Sequence, residues 1–252
     1  LAYYGGRIPT RPPEPDSPVV AQSELRQFTA SFADARGAPR NINTFNPIFN
    51  GAADIGAAEY QVRQVSSRND SGSNTLRAAL EATFGSTVTF APSAAGVISL
   101  ESPLLAGSSR FLDASFLANG IILDGQGATR LLEIAPRASL EIRNIDFING
   151  QAPGDGGAIF NSGTLTLYDS ILSNNSARSG TPDGIFLPGN DGFEGGSGGA
   201  IFNNFGATLT LDRCFLLDNR AGNGGDGTSG TTNGGAGGSG GAILTQSNSK
   251  LT

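Results

Sequence analysis

Hydrophobic and polar positions alternate strictly in three short stretches. Leu140 and Ile142 face one side of the first, Leu165 and Leu167 of the second, Leu209 and Leu211 of the third. A period of two predicts strands with one buried face. Each run is rich in Ile, Leu, Phe and Thr and is bounded by Gly, Asn or Asp. A helical pattern occurs at "SNTLRAALEAT", residues 73–83, where Leu76, Ala79, Leu80 and Thr83 share a face. Ser73 or Asn74 is the expected cap.

The runs belong to a repeat. "GGAIFNSGTLTLYDSILSNN" starts at Gly156, "GGAIFNNFGATLTLDRCFLLDN" at Gly198, and "GGAIL" at Gly240, 42 residues apart each time. "SLEIRNIDFING", from Ser139 to Gly150, is a degenerate earlier copy. Short strands at regular spacing without intervening helices leave a sandwich, a propeller or a solenoid. Near-identical words favour the solenoid, because equivalent positions then stack into ladders of like side chains. The Asn closing each word suits a bend ladder as well as an ordinary turn.

A period of 42 is too long for one bare coil. The excess lies in "SARSGTPDGIFLPGNDGFEGGSGG" and "RAGNGGDGTSGTTNGGAGGSGG". These read as glycine-rich loops leaving the wall, with flexible surface decoration as the default. Asn190, Asp191, Asn223 and Asp226 sit among those glycines and raise calcium as an alternative. Their spacing fits neither an EF-hand nor a strict nonapeptide calcium repeat.

Composition narrows the function classes. The 252 residues carry 16 basic and 22 acidic side chains, a net charge of −6, which argues against nucleic acid as a partner. No apolar run approaches the length needed to span a bilayer, so no membrane span is expected. There is no His and no Met, and Cys214 is the only cysteine. An intramolecular disulfide is therefore ruled out, and Cys214 reads as a small buried residue in a strand, with an intermolecular bridge as the alternative. Asp146, Asp169, Asp212 and Asp218 fall at different positions of the repeat words, beside Arg143 and Arg213, with Lys250 the only lysine in the repeats. Scattered in this way they read as solvated wall positions. No catalytic, cofactor-binding or metal-binding residue is expected, and the chain reads as a non-enzyme without a cofactor. Phe186, Phe193 and Phe205 lie in or beside the loops and are expected to pack back onto the wall.

Residues 65–83, "VSSRNDSGSNTLRAALEAT", resemble the opening segment of secreted bacterial right-handed parallel β-helix proteins, in which a "SLREAI"-like helix caps the solenoid. "TVTF", "GVISLESPL" and "GIILDGQGATRLLEI" resemble their first coils, and "GGAIFNSGTLTLYDSILSNNSA" their repeating coil. The style is shared with polymorphic outer-membrane proteins and autotransporter passengers. Many members begin the cap motif with Cys, where this chain has Asn74.

Residues 1–64 resemble the closing end of the same family. "DARGAPR" at 34–40 and "GAADIGAAEYQ" at 51–61 match its "DQRGxPR" and "DIGAFEYQ" signature. The resemblance implies two units. Residues 1–64 would be a C-terminal closing segment with an extended Pro-rich arm from Pro9 to Pro18. Residues 65–252 would be the cap and first coils of an all-β, right-handed parallel β-helix, open at its C-terminal end, with Thr252 inside an unfinished coil.

Closure before opening implies a structural or adhesive protein, extracellular or on a bacterial cell surface. Its modules would stack head to tail into a fibre or stalk. The expected partners are copies of itself, residues 1–60 against the open end near Thr252, and surface glycans. A glycan- or receptor-binding β-helix is the alternative. A polysaccharide-degrading enzyme would need carboxylates converging from neighbouring coils.

Overall fold

The structure is a computed structural model that describes residues 62–82, 87–181, 192–227 and 233–252. It is all-β, built from three parallel sheets that the chain visits in strict rotation. Strands β1 (Val62–Val65), β2 (Thr87–Phe90), β5 (Arg110–Asp113), β8 (Ser139–Arg143), β11 (Thr164–Tyr168), β14 (Thr208–Asp212) and β17 (Lys250–Leu251) form the first sheet in that order. The second holds β3 (Gly96–Ser99), β6 (Ile121–Asp124), β9 (Ile145–Ile148), β12 (Ile171–Ser173) and β15 (Phe215–Leu217). The third holds β4 (Leu104–Ala106), β7 (Leu132–Ile134), β10 (Ile159–Asn161), β13 (Ile201–Asn203) and β16 (Ile243–Thr245). From β2 onward the chain passes first, second, third sheet and begins again, a solenoid-like path.

The alternation in the sequence sets the register. Leu140, Leu165 and Leu209 stack in one row, and Ile142, Leu167 and Leu211 in the next. The second sheet adds a row from Leu123 through Phe147 and Leu172 to Leu216. These rows form one continuous apolar core. Stacking like on like buries each aliphatic side chain against its own copy one strand spacing, about 4.8 Å, away. In the later strands of the first sheet threonines stack on the outward side, Thr164 on Thr208 and Thr166 on Thr210.

The helix is α1 (Leu76–Glu81), which buries Leu76, Ala79 and Leu80 and covers one end of the stack. Its cap is Thr75, whose hydroxyl accepts from Ala78 N, rather than Ser73 or Asn74. Asn74 takes a left-handed conformation (φ 59°) instead, and its carbonyl accepts from the amides of Ser66 and Ser67. The left-handed region favours Asn because its short side chain is tolerated there. The same logic fixes the sheet corners. Asn144, Asp169 and Arg213 share one corner at positive φ, and Asn149, Asn174 and Asp218 the next.

The described parts of the glycine-rich segments are not free loops. They stack on one another. Arg178 N donates to Gly154 O, Gly196 N to Arg178 O, Gly222 N to Gly196 O, and Gly238 N to Gly222 O. A second series runs from Gly235 N to Gly225 O, Gly225 N to Phe193 O, and Phe193 N to Thr181 O. Each segment joins these two series at residues three apart, such as Phe193 and Gly196, Gly222 and Gly225, or Gly235 and Gly238. Three is the period of an extended left-handed polyproline-II-like chain, which has no internal hydrogen bonds and must find partners outside itself. Glycine is compulsory in the interior. A Cβ on Gly222 would sit 1.8 Å from Arg178 O, and one on Gly238 1.9 Å from Gly196 O. The coils without such segments repeat at 25 residues, as between Asn149 and Asn174, and those with them at 42 to 44.

Candidate assembly face

Of the residues singled out as chemical candidates, Asp169 and Asp212 meet at Arg213, which pairs with both, and Asp146 and Asp218 lie apart from them. Asp146 lies in the outward row of the second sheet, Asp169 and Asp218 at two different corners, and Asp212 in the outward row of the first sheet. Asp169 Oδ1 lies 2.6 Å from Arg213 Nε and its Oδ2 2.9 Å from Arg213 Nη2. This pair holds the Asp169 carboxyl below the usual carboxylate range. Arg143 reaches Glu141 at 2.8 Å and lies over the rings of Phe111 and Tyr168. These are exposed ion pairs and cation–π contacts along a wall, of little energetic weight.

Among the described residues, no three of His, Cys, Asp and Glu gather as a metal site would require. Asn223 and Asp226 belong to the glycine-rich stack, and Asn223 Oδ1 accepts from Arg220. Asn190, Asp191, Phe186, residues 1–61 and the Pro-rich arm lie outside the described residues. Phe193 and Phe205 are 52% and 62% exposed, so they do not pack back onto the wall. Cys214 is half-buried and stands at the turn between β14 and β15, not inside a strand. Its neighbours Leu167 O and Asp212 O lie 3.5 and 3.4 Å from the sulfur. Burial is the largest influence on its thiol and pushes the pKa up.

The ladders are the ordered polar feature. Asn175 Nδ2 donates to Asn219 Oδ1 at 2.9 Å, the expected bend ladder. A second Asn ladder lies inside the core wall, in the row Ala106, Ile134, Asn161, Asn203, Thr245. Asn161 Nδ2 donates to Asn203 Oδ1 at 2.7 Å and to Thr208 O at 2.9 Å, and its Oδ1 accepts from Gly163 N. Both Asn161 and Asn203 are fully buried. Sequence reading missed this ladder, though the repeated "IFN" after each of the first two Gly-Gly-Ala words carried it.

The Gly-Gly-Ala-Ile words make a directional edge. Gly157 N donates to Gly198 O, and Ala158 N and Ile159 N to Ala200 O. One layer on, Gly199 N donates to Gly240 O, and Ala200 N and Ile201 N to Ala242 O. In the third word, Gly240, Gly241 and Ala242 donate to no backbone carbonyl among the described residues. The same break shows in the glycines. A Cβ on Gly157 would meet Gly199 O at 2.1 Å and one on Gly199 would meet Gly241 O at 2.0 Å, but Gly241 has nothing nearer than Asn219 O at 3.8 Å. In the Asn row, Thr245 Oγ1 is a buried oxygen without a partner. In the core row of Leu209, Leu251 is half exposed, while the exposed Phe215 and Leu217 belong to the outward rows of the second sheet.

No known family, curated protein or solved structure matches this chain. Among the described residues, no helix is long and apolar enough to cross a membrane.

Proposed function

We propose that this chain is a structural, non-enzymatic component of an extracellular bacterial-surface assembly. In this reading the three parallel sheets are the walls of a right-handed parallel β-helix of the secreted family that residues 65–252 resemble. Parallel crossovers are overwhelmingly right-handed, which supports that hand. The helix stacks end to end with further modules, making a fibre or stalk.

One observation carries the reading: equivalent rows stack like on like through three parallel sheets, and the glycine-rich segments hydrogen-bond layer to layer beside them, a quasi-one-dimensional build that is extended by adding layers. The α1 helix covers one end of the stack, which gives the solenoid a direction. A contact between unlike ends does not close on itself and propagates as a filament.

Electron microscopy of the native protein, with the same preparation on a denaturing gel, tests this. Fibres that dissolve to chains of about the mass of this one mean non-covalent stacking, and fibres that run as one very large chain mean a covalent tandem array. Lone monodisperse particles refute assembly. They would leave the glycan- or receptor-binding reading, for which the exposed Phe193 and Phe205 are the supporting observation.

A further inference from the structure

At the α1 end the second sheet finishes differently from the other two. In the first sheet β1 pairs along the outer edge of β2. In the third, α1 packs against β4. In the second, β3 is the terminal strand. The chain does not stop at this point. It passes through as the irregular segment 66–75, which bonds to itself, Ser66 N and Ser67 N both donating to Asn74 O. It forms no strand beside β3.

The hydrogen bonds show which groups face that open edge. Gly96 N donates to Gly120 O and Leu100 N to Asp124 O, both on the β6 side. Along a parallel strand, alternate residues present their N–H and C=O to opposite sides. The amides and carbonyls of Val97 and Ser99 therefore point away from β6, and none of these four groups has a hydrogen-bond partner among the described residues. Val97 and Ser99 open onto a groove of about 480 Å³, whose other wall is the stretch from Arg68 to Ser71.

The groove carries one charge of each sign at its two ends. Arg68 lies beside the start of β3, with Nη1 3.7 Å from where a Cβ on Gly96 would be. Glu101 lines the far end. Both are exposed, and neither has an ion-pair partner among the described residues. Asp70 is already paired with Arg77. No aromatic ring lines the groove to stack a sugar.

We propose that this edge is a docking site for an extended peptide of a partner protein, added as a parallel strand on β3, with an acidic side chain at the Arg68 end and a basic one at the Glu101 end. Backbone pairing to Val97 and Ser99 supplies the affinity, and the two end charges fix the register. An apolar residue in the peptide's second position stacks on Val97, which is 44% exposed. The inference goes beyond the assembly reading and does not rest on it.

The test is isothermal titration of the full chain with acetyl-Asp-Val-Thr-Thr-Ser-Lys-amide, which matches Gly96 to Glu101 in length. The peptide should bind. N-methylation at alternate residues should abolish binding in one phase, second and fourth or third and fifth, and spare it in the other, because only alternate amides of a strand face its neighbour. Ser99→Pro removes an N–H that no native bond uses, on an edge strand where proline is tolerated. The melting temperature should hold while affinity falls roughly tenfold, the worth of one hydrogen bond. Arg68→Glu should weaken binding, and a peptide beginning with Lys in place of Asp should restore it. No binding at millimolar peptide, or equal loss from both methylation patterns, overturns the added strand. Binding of maltohexaose that Arg68→Glu abolishes, with no binding of the peptide, overturns it in favour of a glycan site. Neither result bears on end-to-end stacking, which the electron microscopy above decides.

Discussion

Replacing Asn161 by alanine tests whether the inner Asn ladder holds the later coils together. Asn161 is fully buried and makes three hydrogen bonds: to Asn203 Oδ1 at 2.7 Å, to Thr208 O at 2.9 Å, and from Gly163 N at 3.0 Å. Truncation removes all three and leaves two acceptors and a donor behind. A net hydrogen bond is worth about 1 kcal/mol, and a buried group left unsatisfied costs roughly 1–3 kcal/mol. Asn203 Nδ2 keeps its bond to Lys250 O at 3.2 Å, but Asn203 Oδ1 loses the donor that Asn161 supplied. Three broken bonds with at least one uncompensated orphan give a loss of about 4 kcal/mol, a large part of the stability of a typical domain. Equilibrium urea denaturation followed by far-ultraviolet circular dichroism measures it. The matched control is Asn204→Ala, one position on, which forfeits a bond to Ser162 Oγ at 3.1 Å and an exposed one from Phe205 N at 2.8 Å, leaves partners that water can reach, and should cost about 1 kcal/mol. A loss under about 1 kcal/mol for Asn161→Ala would mean that water or a neighbouring rotamer replaces the ladder, and the reasoning fails.

Other outcomes follow from single residues. Gly222→Ala should lower stability by about 2–3 kcal/mol in the same assay, because its Cβ would lie 1.8 Å from the Arg178 carbonyl; an unchanged midpoint would show that the glycine-rich stack yields freely. Asp146 has its pKa raised, first by burial, against a smaller opposing effect of the Ile171 amide. Its folded pKa then lies above the unfolded value, so the folded state holds the proton more tightly and stability falls as pH rises through the window just above 3.8. Asp146→Asn keeps an oxygen for that amide and removes the titration: the variant should gain stability relative to wild type as pH rises through that window, and a constant difference would contradict the burial argument. Cys214, with its thiol pKa pushed up by burial, should react with iodoacetamide at neutral pH more slowly than a free thiol, and more slowly still once polymer forms. Equal rates in monomer and polymer would place the covering layer elsewhere.

The strands were legible because their signal is local. Leu165 and Leu167, or Leu209 and Leu211, alternate within one run, and a period of two has one physical meaning. The corners were legible as Asn and Asp at the word ends, where a left-handed residue turns the chain. The inner ladder was harder. Asn161 occupies the position that Ile134 holds one layer earlier, so the sequence shows a polar residue in a core row, and only its partner 42 residues away makes that favourable.

The glycine-rich segments were misread for a related reason. Gly supplies flexibility when isolated, and nothing in "GGAGGSGG" distinguishes a free loop from a close-packed strand until the neighbouring segments are known. One signal was available: Asn233, Ala236 and Ser239 are separated by two glycines each time. A flexible linker has no reason to keep a period of three, whereas an extended chain hydrogen-bonded on several sides does. Glycine content alone therefore separates nothing; the separating variable is whether a Cβ would have room. By that measure Gly222 and Gly238 belong to the interior, and Gly237, with no atom nearer than 3.8 Å, lies on an outer face. The same comparison separates Gly157 and Gly199, each about 2 Å from the next word's carbonyl, from Gly241, with nothing nearer than 3.8 Å.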